Sequence, residues 1–76
     1  MPGEMPEKIR QLFLIFKDAV QREREAQSIY QHAAALCQDE ELKKLLEGFR
    51  RDESRHERML VQRYNRLRKT YGIQDE

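Results

Sequence analysis

Tryptophan is absent from this 76-residue chain, cysteine occurs once, proline twice and glycine three times. A single cysteine excludes an intrachain disulfide framework and a cysteine-based zinc or iron-sulfur site within one chain. No apolar run exceeds five residues, against the roughly 20 needed to cross a bilayer, so no membrane span is expected. The N-terminus does not read as a signal peptide, and a soluble, cytoplasmic protein is the expectation. Both prolines and the first glycine fall within residues 1–6, leaving only Gly48 and Gly72 to interrupt regular structure beyond them. With 38% hydrophobic and 38% charged residues the chain has little material for a core, which excludes a large self-contained enzyme fold.

What remains is helical periodicity. From Ile9 the positions 9, 12, 16, 19, 23, 26, 30, 33 and 37 alternate steps of three and four and read Ile, Leu, Phe, Ala, Glu, Ala, Tyr, Ala, Cys, one stripe of a helix. Asp39 is a favourable N-cap, and Glu40 and Glu41 follow where the helix dipole favours acids. A second stripe runs Leu42, Leu46, Phe49, Glu53, His56, Leu60, Leu67. The spacing predicts a loose tail over 1–6, helices over about 7–37 and about 40–70, and a tail over 72–76 behind Gly72. Two helices of this length joined by two or three residues form an antiparallel hairpin. Residues Leu12–Phe16 are too broad an apolar cluster for one neighbour to bury, so two hairpins are expected to pair as a two-fold four-helix bundle.

Charge is uneven: residues 1–42 carry a net −3, residues 43–69 a net +6 and residues 70–76 a net −2. A basic second helix can serve an acidic partner or nucleic acid. Exposed Arg and Lys also provide solubility and pair with acids a turn away, and that reading comes first here, with no nucleic-acid contact expected.

Three positions on the apolar stripes are ionisable: Glu23, Glu53 and His56. A charge in a core-facing seam needs a partner, a proton or a metal. In a hairpin turning near residue 38, Glu23 and Glu53 stand at the same height, and His56 lies one turn beyond Glu53 on the same face. A carboxylate-bridged dimetal site in a four-helix bundle takes a Glu from each of two helices and a Glu-x-x-His from each of the other two. One hairpin supplies half of that set and a homodimer all of it. Two divalent ions would balance its four carboxylates, and this ligand chemistry suits iron, or manganese, better than copper(I) or structural zinc.

The segment Glu23-Arg-Glu25-Ala26-Gln-Ser-Ile-Tyr30 resembles the Glu-x-x-Ala-x-x-x-Tyr motif of the rubrerythrin branch of ferritin-like proteins, and Asp52-Glu53-Ser-Arg-His56 resembles its Glu-x-x-His. The chain is most similar to encapsulated ferritins, which are single helical hairpins; the likeness covers about residues 10–67. It implies a ferroxidase centre across a homodimer interface, with two irons per dimer held by Glu23, Glu53 and His56 of both chains. It further implies a ring of dimers, an encapsulating shell protein as partner, and location inside a protein nanocompartment. Tyr30 is then a neighbour of the ligands and Glu25 part of an outer acidic site, where Arg22 replaces a second acid. Residues 71–76 do not match the family's targeting extension, and one cysteine cannot build the electron-relay domain of rubrerythrins proper. The competing expectation is a non-catalytic helical dimer or adaptor that binds an acidic partner or RNA through its basic second helix. From the spacing alone Glu25 and His32 read as surface residues, Tyr30 as packing at the seam, Asp52 as the partner of a nearby Arg, and Cys37 as a small buried residue.

Overall fold

The computed structural model describes residues 6–72, so most of the expected tails, residues 1–5 and 73–76, lies outside the described residues. Two helices account for nearly everything else: α1 spans Glu7–Leu36 and α2 spans Glu40–Tyr71, within a residue or so of the spans expected from periodicity. They pack against each other as an antiparallel hairpin, and no strand occurs among the described residues.

Local chemistry sets the helix ends. Pro6, its φ held at −55°, precedes the first turn of α1, a position that needs no backbone N–H. Glu7 then pairs with Arg10 at 3.0 Å one turn on. Three residues, Cys37 to Asp39, connect the helices; the Asp39 side chain accepts the Glu41 N–H at 3.1 Å and caps α2. At the far end Gly72 adopts φ 63°, and its N–H donates to the carbonyls of Arg68 and Lys69. That left-handed geometry ends a helix at little cost only in glycine.

Among the described residues only Phe13 and Ala34 are buried, at 6% exposure each. The seam between the helices is rotated by about one residue from the stripe read in the sequence. Phe13, Val20, Gln27 and Ala34 face α2, with Phe16, Glu23 and Tyr30 along one edge. Phe13 meets Tyr64 edge-on at 5.2 Å between ring centroids, and Tyr30 meets Phe49 at 5.5 Å. The apolar band on each helix is wider than one contact line, so a single neighbour takes one edge of it and leaves the other open. At about 100° of turn per residue, the uncovered edge carries Phe16 and Tyr30, half-buried, on α1 and Leu42, Leu45, Phe49 and Met59, exposed, on α2, while the exposed Ile15 and Ile29 stand nearly opposite the seam on the back of α1. Antiparallel packing places both edges on the same side of the hairpin. The Cα radius of gyration is 16.6 Å and the longest dimension 58 Å, whereas a compact domain of this length has a radius near 11 Å.

Candidate metal centre

Glu23 stands midway along α1, and Glu53 and His56 stand one turn apart on α2. The structure brings all three together: one ligand-capable atom from each lies within 4.8 Å of the others. His56 Nδ1 is 3.5 Å from Glu23 Oε2 and 3.9 Å from Glu53 Oε2. Two ligands on one ion with bonds of about 2.1 Å stand roughly 3 to 4.2 Å apart, so both distances fall in the range that a shared ion would impose. The sequence places Glu23 level with Glu53. The cross-helix pairs Phe13–Tyr64 and Tyr30–Phe49 instead put the symmetric point closer to residue 39, which sets Glu23 between Glu53 and His56 and within reach of both.

The cluster occupies the edge of the seam, facing the uncovered apolar side. Glu23 and Glu53 side chains are 22% and 23% exposed, and His56 is 48% exposed. Glu23 Oε2 is itself shut off from solvent and accepts no well-formed hydrogen bond. Two carboxylates in contact hydrogen-bond only if one of them holds a proton. That contact with Glu53 raises the Glu23 carboxyl above its ordinary value of 4.5; loss of water and the Glu53 charge push the same way, and His56 opposes them. A cation would replace the proton. A carboxylate oxygen shut off from water, with a second carboxylate and an imidazole beside it, is a donor set that fits a divalent first-row metal. One chain offers three ligands, fewer than the five or six that iron or manganese takes.

A second polar group fixes the helices beside this cluster. Glu57 accepts from Arg24 Nε at 2.9 Å and from Gln27 Nε2 at 2.7 Å, and Gln27 also donates to the Glu23 carbonyl at 3.3 Å. Arg24 and Gln27 follow Glu23 by one and four residues, and Glu57 follows His56 directly, so the clamp sets helix register at the height of the candidate ligands. The Arg24 hydrogen bond, then that of Gln27, holds the Glu57 carboxyl below its ordinary value. The stripe read from the sequence missed Glu57 and Gln27 because its phase was one residue off. Polar residues four positions after Glu23 and after Glu53 were the available signal.

The remaining candidates separate cleanly. Tyr30 is half-buried and packs on Phe49. Glu25 points outward and accepts from Gln21 at 3.3 Å, apart from the three ligands. His32 is exposed, and Asp52 lies 3.9 Å from Arg55. Cys37 is half-buried rather than buried, its Sγ donating to the Asp39 carbonyl at 3.3 Å. Among the described residues no helix is long and apolar enough to cross a membrane. No protein-family model, no curated protein and no solved structure matches the chain.

Proposed function

We propose that two copies of this hairpin pair through their uncovered apolar sides as a four-helix bundle and oxidise Fe(II) to Fe(III) at a centre made of Glu23, Glu53 and His56 from both. The observation that carries this reading is the convergence of those three side chains, with Glu23 Oε2 shut off from solvent and 3.5 Å from His56 Nδ1.

Surface area supports the pairing. The chain exposes 6363 Å², whereas a compact monomer of 9.2 kDa exposes about 4,900 Å². The excess includes the cost of an elongated shape, and it is larger than the roughly 800 Å² per partner of an ordinary interface. Leu45, Phe49 and Met59 of α2 lie along that side with the ligand cluster, so closing the pair removes them and the cluster from water together.

Iron is the substrate, with manganese as a second ion of suitable chemistry. Four carboxylates from two chains balance two divalent ions and favour the higher charge of Fe(III) as electrons leave. Two Fe(II) give up one electron each, and one dioxygen with two protons becomes hydrogen peroxide; with peroxide as oxidant, another two Fe(II) give one electron each and two protons complete two waters. The chain's own part is to hold two ions at bridging distance. A hairpin encloses no volume for mineral, so the reading is detoxification, or delivery of Fe(III) to a larger container for storage. The resemblance to encapsulated ferritins alone supports a ring of such dimers, a shell protein and a cytoplasmic nanocompartment.

Anaerobic Fe(II) titration followed by air tests the proposal. Two irons per dimer and a ferric absorbance band are expected from the wild type, and neither from His56→Ala at unchanged helicity. Full oxidation rates in His56→Ala would remove that residue from the site. A metal-free polar layer, which the contact between the Glu23 and Glu53 carboxyls favours as the second reading, predicts that chelators leave thermal stability unchanged.

A further inference from the structure

Six of the ten basic residues of α2 fall on one line along the helix, on the side away from the seam. Lys44, Arg51, Arg55, Arg58, Arg66 and Lys69 recur at three-four spacing, with Gly48 and Gln62 filling the two gaps, and all six are exposed. They form one straight stripe about 37 Å long at 1.5 Å per residue. Acids within the same stretch stand elsewhere: Glu53 and Glu57 are in the seam, and Glu47 and Asp52 lie on either side of the stripe. Among the described residues only Arg55 of the six has a carboxylate within 4 Å, Asp52 at 3.9 Å. The stripe is turned about 120° around α2 from the uncovered apolar edge. Pairing of two hairpins therefore leaves it in solvent, and its function is independent of the proposed metal centre.

We propose that this stripe binds the phosphodiester backbone of a nucleic-acid duplex without reading sequence. Four of its six cations are guanidinium groups, whose fork matches phosphate oxygens. It carries no aromatic residue on which an unpaired base would stack and no large apolar residue that would enter a bilayer. A rigid row of charges on a rod with a cross-section of 20 × 14 Å suits a regularly spaced linear polyanion.

The test is fluorescence anisotropy of two labelled 20-base-pair DNA duplexes of unrelated sequence with the full chain, titrated from 50 to 200 mM salt. Both duplexes bind alike, with a log-log salt slope approaching about −5 if all six cations engage, a loss of up to about a thousandfold across that range. The triple variant Arg55→Gln/Arg58→Gln/Arg66→Gln binds at least tenfold more weakly at 50 mM and shows about half the slope. Arg10→Gln/Lys17→Gln/Arg22→Gln, with the same charge loss on α1, keeps the wild-type slope. Circular dichroism checks helicity in each. A wild-type slope shallower than about −1 overturns the proposal without reference to any variant. Equal losses in the two triples assign the binding to overall charge and overturn it as well. So does tighter binding to poly-glutamate or to anionic phosphatidylserine vesicles than to DNA.

Discussion

Replacing Glu53 with Gln changes stability in opposite directions with and without metal. In the metal-free protein the Glu23 and Glu53 carboxylates stand within 4.8 Å. Two unit charges at that distance repel by about 0.9 kcal/mol in water and about 3.5 kcal/mol at an effective dielectric of 20. The side chains are roughly one-fifth exposed and water screens part of the repulsion, so Glu53→Gln is expected to stabilise the metal-free protein by about 1–2 kcal/mol at pH 7 and low salt. With a urea m-value near 1 kcal/mol/M for a chain this small, the midpoint in chelator rises by about 1–2 M. Saturating Mn(II), which avoids air oxidation, adds about 2.7 kcal/mol to the wild type at a hundred times Kd and nothing to the variant. The order of the two midpoints thus reverses.

The pH dependence has a definite sign. Glu23 is raised in the folded state, so the wild type loses stability as pH rises through that raised value. The advantage of the metal-free variant is full above it and vanishes as pH falls below the ordinary carboxylate value of 4.5. Urea titrations at fixed protein concentration, with chelator or with Mn(II), measure both effects. Destabilisation by Glu53→Gln in chelator would refute the like-charge cluster; equal Mn(II) stabilisation of both proteins would refute the ligand assignment.

Removing the clamp with Glu57→Ala costs about 1 kcal/mol, a figure kept low because Arg24 is 58% exposed, and weakens Mn(II) binding at unchanged helicity; unaltered Mn(II) affinity by calorimetry would leave the clamp no part in positioning the ligands. Because Glu57 is depressed in the folded state, its contribution is present above the ordinary carboxylate value and disappears as pH falls through the depressed one. Leu45→Arg places a charge on the uncovered side and is expected to convert the proposed dimer to monomer in sedimentation velocity; an unchanged sedimentation coefficient would move the interface elsewhere. Asp39→Ala deletes the cap on Glu41 N–H and lowers stability by about 1 kcal/mol in the same urea assay, whereas no change would mean that the start of α2 frays.

Sequence by itself determined the helices and their ends. Few helix breakers, three-four apolar spacing, the Asp39 cap and Gly72 act within one or two turns, so neighbouring residues suffice to specify them. It also set Glu23, Glu53 and His56 at nearly one height, since periodicity and a short turn constrain height along a hairpin, but the core-facing place expected for them became the edge of the seam, with His56 48% exposed. Rotation about each helix axis was decided only by tertiary packing. The apolar band of α1 is broad enough to accept a seam along Leu12 and Ala19 or along Phe13 and Val20, and the fit of Phe13 against Tyr64 selects the second. That choice brings Gln27 and Glu57 into contact and seals Glu23 Oε2, and it leaves Phe49 and Met59 uncovered. It also turns six cations away from every acid of α1. Spacing within one helix cannot express any of these relations, because each depends on where the other helix lies.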